Sequence, residues 1–192
     1  PLFARLFERP GVLREWFGQL ITYSMTVTLS RCYADFFALG RATLRMLAEI
    51  HRVPLSDDDV ATVARALATM PAHPDVAQGL SRLRDDGYRL AALTNSPNSP
   101  GRPTPLAHTG LAGYFERQFS VDELEVFKPA TALYRHTADG LGVPPYACMM
   151  VAAHAWDTIG AQAAGFGAAL ITRPGNATLR FEGAHQPDFI AP

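Results

Sequence analysis

Two cysteines, Cys32 and Cys148, are all that this 192-residue chain contains. They make neither a disulfide framework nor a zinc-ligand spacing. Charge is sparse as well: Asp, Glu, Lys and Arg make up 18% of the residues, and the net charge is −1 with histidine neutral. There is no basic footprint of the kind that nucleic-acid binding needs. No apolar run approaches the ~20 residues that span a bilayer, and no secretory signal is recognisable. The expectation is a cytoplasmic protein with no membrane or nucleic-acid partner.

What is present is apolar. Hydrophobic residues reach 48%, too many for a disordered chain. The length suits one domain with an appended subdomain, or two small domains.

Residues 1 to about 70 read as helical. Val12-Leu13, Trp16-Phe17, Leu20 and Tyr23-Ser24 recur at helical spacing. A second helix is predicted from about Asp35 to Arg52, and Ser56 is a candidate N-cap for a third over Asp57 to Thr69. Met70-Pro71-Ala72-His73-Pro74 ends this pattern. Helices and strands then alternate. Helices are expected over Asp75–Asp86, closed by Gly87, over Ala130–Leu141, closed by Gly142, and weakly near Leu106–Gly110. Strands are expected at Tyr88–Leu93, Arg117–Ser120, Ala147–Ala153 and Ala168–Thr172, with a last edge strand near Asp188–Ile190. Pro97 to Pro105 reads as a loop. Alternation of this kind implies a parallel α/β sheet. The boundary between a helical subdomain (1–70) and the α/β core (71–192) falls near Met70. Cys148 is placed in a buried strand, where an inert thiol is expected.

Three strand ends carry polar residues, and ligands bind at the carboxyl ends of parallel strands. Thr94-Asn95-Ser96 could hold an anion through hydroxyl, amide and backbone N–H groups; the plainer alternative is a polar turn. Lys128 precedes Pro129 and a helix start, where a cation gains nothing from the helix dipole. Tyr134, one turn into that helix, reaches the same cleft or packs the core. Met149-Met150-Val151-Ala152-Ala153 reads as a buried strand running into His154-Ala155-Trp156-Asp157. Asp157 is a helix N-cap or a catalytic carboxylate. His154 is a general base, an anion ligand or a turn residue. Trp156 lines a pocket or fills core.

Taken in order, Thr94-Asn95, Ser120-Val121-Asp122, Lys128-Pro129 with Tyr134, Ala155-Trp156-Asp157, Gly165-Phe166-Gly167 and Arg173-Pro174-Gly175-Asn176 form a pattern. It resembles the haloacid dehalogenase superfamily of hydrolases, most closely the type II 2-haloacid dehalogenases, along nearly the whole chain. The resemblance implies a three-layer α/β/α core built on a doubly wound, Rossmann-like parallel sheet, with a helical cap, here residues 1 to about 70. It implies hydrolysis of a small halogenated organic acid: an aspartate displaces halide from carbon 2, and water cleaves the resulting ester. Thr94 and Asn95 match the motif that orients the nucleophile and binds substrate. Lys128 matches the ammonium that neutralises clustered carboxylates, and Asp157 the acid that serves the lysine or the water. Tyr134 and Trp156 match positions lining the site. Leu20 and Phe36 match apolar cap positions facing substrate. No cofactor is implied, and relatives of this type are often homodimers.

Three departures stand out. The family's nucleophilic aspartate ends a first, central strand, and no such segment precedes Pro1. Without that strand two buried ladder edges would lack partners, at about 1–3 kcal/mol per unsatisfied group. A longer natural protein is therefore expected, and a chain made strictly from Pro1 is expected to be inactive and poorly folded. Phe17 stands where these enzymes carry an arginine, a loss that Arg14 or Arg31 would have to make good. His154 replaces an asparagine, and Ala152 a common serine; a protonated His154 would restore positive charge. The rival within the superfamily is a phosphatase dependent on Mg²⁺, a cation held by oxygen ligands. Asp157 alone after the strand makes a poor magnesium site. A non-catalytic binding protein keeping the cleft is the remaining alternative.

Overall fold

The computed structural model describes residues 2–97 and 104–192. Part of the expected loop from Pro97 to Pro105 lies outside the described residues. The chain forms two compact units, residues 1–125 and 126–192.

The first unit opens with four helices: α1 (Leu2–Phe7), α2 (Val12–Leu29), α3 (Phe36–His51) and α4 (Asp57–Ala68). Their apolar residues recur at three- and four-residue intervals, which puts each set on one helix face. Phe3 and Phe7, then Val12, Trp16 and Leu20, then Leu44, Leu47 and Ala48, then Val60 and Val63 meet in one core. All of these lie within residues 1–70. The Trp16 indole is buried there and donates to the Gly40 carbonyl at 3.0 Å. A Cβ on Gly40 would sit 3.4 Å from Trp16 Cζ2, so the glycine lets α3 lie close on the ring.

Two helix starts follow from their caps. The Asp35 carboxylate accepts from Ala38 N at 2.9 Å and starts α3. The hydroxyl of Ser56 accepts from Asp59 N, and the Asp59 carboxylate accepts from Ser56 N, a capping box at the start of α4. The second helix runs further than its apolar pattern predicts. Beyond Tyr23-Ser24 the hydroxyls of Ser24, Thr26, Thr28 and Ser30 each donate to the carbonyl four residues back. Polar and β-branched residues are thus absorbed into the helix.

The same unit continues through α5 (Val76–Asp85), β1 (Ala91–Thr94), the single turn α6 (Pro105–His108) and β2 (Arg117–Ser120). The first strand begins later than Tyr88 because the end of α5 uses that residue. Gly87 adopts φ +84°, and Tyr88 N donates to Leu83 O at 2.9 Å to close the helix. β1 and β2 pair in parallel, from Ala91 opposite Arg117 to Thr94 opposite Ser120.

The second unit holds α7 (Thr131–Leu141), β3 (Met149–Ala152), α8 (Ala155–Ala163), β4 (Gly167–Ile171) and β5 (Phe189–Ala191). Its strands pair in parallel in the order β3-β4-β5. α8 is the crossover from β3 to β4, and β4 is the buried centre, with Ala168 and Leu170 inaccessible. Two expectations fail here. Cys148 is not in the strand: its N–H donates to Pro145 O, closing the turn before β3, and the residue is half-buried. Nor is β3 buried on both faces, since Met149 and Val151 are 50% and 55% exposed. Among the described residues β3 pairs with β4 on one edge only. No helix of the described chain is long and apolar enough to cross a membrane.

The helical core should respond to truncation as a packed interior does. Leu47→Ala removes a fully buried side chain and is expected to lower unfolding stability by about 3 kcal/mol. Leu13→Ala, on an exposed face of α2, should change it by less than about 0.5 kcal/mol. Urea unfolding of the two variants checks both figures.

Candidate active site

The turn after β3 determines where Asp157 points. Of its two readings the N-cap fails: α8 begins at Ala155, so His154 occupies the cap position and Asp157 lies in the first helical turn. There a carboxylate gains from the helix dipole, but its side chain is used elsewhere. Asp157 Oδ2 lies 2.7 Å from the ammonium of Lys128, and Oδ1 accepts from the Tyr134 hydroxyl at 2.7 Å. The Tyr134 hydroxyl also lies 3.2 Å from the Asp157 carbonyl.

All three groups are withdrawn from water. The side chains of Lys128 and Asp157 are 11% and 7% exposed, and Tyr134 is inaccessible. Burial, followed by the neighbouring Asp157 charge and hydrogen bond, pushes the phenol well above its ordinary range. Tyr134 is therefore the donor and Asp157 the acceptor. An ion pair buried to this extent persists only when its remaining hydrogen-bonding capacity is met, and Tyr134 meets part of it. The edge of Phe166 supports the Tyr134 ring from a centroid distance of 5.9 Å.

An aromatic wall adjoins the pair. The Trp156 ring lies 5.7 Å from Lys128 Nζ, and His154 stacks on it at 5.4 Å and 23°. Loss of water around His154 lowers its pKa, and the Lys128 charge acts the same way, while Asp157 opposes both. The imidazole is thus biased toward its neutral form, against the expectation of a protonated His154 replacing a missing cation.

Lys128, Tyr134, His154, Trp156 and Asp157 are accordingly brought together within residues 126–192. The other predicted site residues belong to the first unit. Thr94 ends β1 and its hydroxyl accepts from Ser96 N at 3.0 Å, a local turn bond. Asn95 is buried, and its Oδ1 has no hydrogen-bond partner among the described residues. An orphaned acceptor of this kind costs about 1–3 kcal/mol, and a ligand donor would relieve it. Leu20 is fully buried in the helical core, while Phe17 and Phe36 flank that core, partly buried. Arg14 and Arg31 are both exposed.

Two features escape a motif-by-motif reading. Lys128 is the single lysine in the chain, beside 16 arginines; a residue count alone would have marked it out. Tyr33, between α2 and α3, donates a hydrogen bond to Asp122 after β2. No spacing in the sequence announces that link, because 89 residues separate the partners.

Comparison with known proteins agrees with this geometry. Residues 12–165 match the family model described as haloacid dehalogenase-like hydrolase. The chain is 31% identical over 161 residues to (S)-2-haloacid dehalogenase 4A of Burkholderia cepacia, covering 84% of this chain and 69% of that protein. It is 32% identical over 158 residues to (S)-2-haloacid dehalogenase 1 of Pseudomonas sp. strain CBS-3, covering 82% and 69%. It superposes on the L-2-haloacid dehalogenase of Xanthobacter autotrophicus with chloropropionic acid covalently bound. There the TM-score is 0.83 and the identity 26%, over 98% of this chain and 86% of the other. With a family match over most of its length and a buried Lys128–Asp157–Tyr134 trio at a strand end, this chain belongs to the haloacid dehalogenase-like hydrolases.

Proposed function

We propose that this protein hydrolyses the carbon–halogen bond of small 2-haloacids. The observation that carries the reading is the buried Lys128–Asp157–Tyr134 trio, whose ammonium stands 2.7 Å from its carboxylate. In the proposed reaction a carboxylate oxygen attacks carbon 2 and halide leaves with the bonding electrons. Water then attacks the ester carbonyl, releasing the 2-hydroxyacid and regenerating the carboxylate. Lys128 is the cation that lowers the cost of gathering carboxylates, both substrate and protein, in a site with little water. Asp157 has both oxygens engaged by Lys128 and Tyr134, which supports a role in holding the lysine over one in activating water. Tyr134, inaccessible and bonded to Asp157, is assigned to positioning that acid. The described strands end in Thr94, Ser120, Ala152, Ile171 and Ala191, none a carboxylate, so no residue here is assigned as the nucleophile.

Residues 1–70 serve as the helical cap in this reading, supported by their self-contained core. Phe17, Phe36 and Trp156 are proposed as apolar walls, and Thr94 and Asn95 as polar contacts for substrate. No metal is required. A Mg²⁺ site of the phosphatase kind needs several oxygen ligands around one point. Asp157 already carries an ammonium and a phenol, and among the described residues no group of three or more His, Cys, Asp or Glu could hold a metal ion.

The protein purified from its natural source is expected to release chloride from 2-chloropropionate equally well with and without EDTA. Strict dependence on Mg²⁺, or no release from any 2-haloacid, would sink the proposal. Lys128→Ala and Asp157→Asn should each lower kcat by about 10²-fold or more while the fold is retained by circular dichroism. Unchanged turnover in either variant removes the trio from the site.

His154 supplies a pH test of the surroundings. Its folded pKa is lowered, so protons bind the unfolded chain more readily. Stability should then fall as pH drops below the ordinary histidine value of about 6.5. His154→Asn is expected to lose less thermal stability between about pH 7 and pH 5 than the native protein. An identical slope would show that the imidazole is not held in its neutral form.

A further inference from the structure

We propose that Gly160 is a positioning residue for the Lys128–Asp157 pair, its missing side chain letting the Lys128–Pro129 segment lie directly against α8. Gly160 is buried in the interior of α8, where glycine is otherwise an unfavourable choice. A Cβ added there would fall 2.7 Å from Pro129 O and 2.9 Å from Pro129 Cα, and closer still to Pro129 Cβ. Two of these three atoms are backbone, so no change of rotamer relieves the overlap. The segment itself would have to move.

That segment carries the site. Lys128 immediately precedes Pro129, and Asp157 lies three residues before Gly160, on the same face of α8. The helix face therefore has two functions within one turn. Asp157 takes the ammonium at 2.7 Å, and Gly160 sets how near the backbone behind that ammonium can come. Tyr134, from the helix that follows Pro129, reaches the same carboxylate. A displaced segment would draw both donors away from one acceptor.

This inference builds on the proposed hydrolytic site for its bearing on turnover, but its geometry can be read without turnover. Because Lys128 is the only lysine, an acylating amine reagent followed by peptide mapping reports on a single side chain, separately from the chain's N-terminus. In the native protein acylation should be slow, since the ammonium is buried and paired. In Gly160→Ala it should speed up by about tenfold, the scale of one weakened charge-assisted hydrogen bond, while thermal unfolding stays cooperative. A folded Gly160→Ala protein with native Lys128 reactivity overturns the proposal, and so does one that is simply more stable, as an unobstructed helix alanine would be. If Gly160→Ala does not fold, Pro129→Gly takes its place, removing the ring that bears on α8. The same acceleration is expected, and unchanged acylation again overturns the inference. Halide release measured alongside separates the two claims. Altered lysine reactivity in a protein that never releases halide leaves this geometry standing and removes only the dehalogenase reading.

Discussion

A charged carboxylate and a charged ammonium, both nearly withdrawn from water, constrain everything around them in residues 126–192. Either one alone in that place would be strongly destabilising, by about 3–5 kcal/mol once its partner is removed. Together they are tolerable because the pair is short and Tyr134 caps the second carboxylate oxygen. Meeting that condition requires three separate pieces of chain to converge. The turn after β3 must deliver Asp157 in the first turn of α8. The stretch before α7 must deliver Lys128. Tyr134 on α7 must lie with its hydroxyl inward, backed by Phe166. The close approach of Pro129 to α8 belongs to the same requirement. Chemistry follows from the arrangement, since a fixed cation at a strand end is where an anionic acid can be bound and its reaction stabilised.

The four N-terminal helices are organised by apolar burial alone. Their core is a continuous set of aromatic and aliphatic side chains, and the polar groups buried with it bond to backbone carbonyls: the Trp16 indole to Gly40, and the hydroxyls of Ser24 and Thr43 to Leu20 and Leu39. Helix ends are closed by their own residues, Asp35 and Ser56 at two starts. A unit of this kind presents surface without needing ionic groups inside it.

Much of this was legible in the chain. The helical spacing of Val12, Trp16 and Leu20 predicted an apolar helix face, and the structure buries all three. Ser56 announced a helix start, and Gly87 and Gly142 announced helix ends. The departures have local causes. β1 starts late because Tyr88 is committed to closing α5, and α2 runs on because hydroxyls bond back along the helix, a preference that hydrophobic periodicity does not register. Met149 and Val151 look like buried strand residues, yet exposure depends on what lies beside a strand, which spacing cannot say.

Residue identity and order determined the helix and strand types, the polar strand ends, and the family to which Lys128-Pro129 and Trp156-Asp157 point. These depend on neighbours within a few positions, where sequence and structure share one period. Tertiary structure alone decided that Asp157 is a buried acceptor and not a helix cap. It also decided that Tyr134 holds that acid, and that His154 is pushed toward neutrality instead of supplying a cation. Each of those depends on groups about twenty to thirty residues apart being pressed together away from water, and desolvation is a property of the packed molecule that no single stretch of chain possesses.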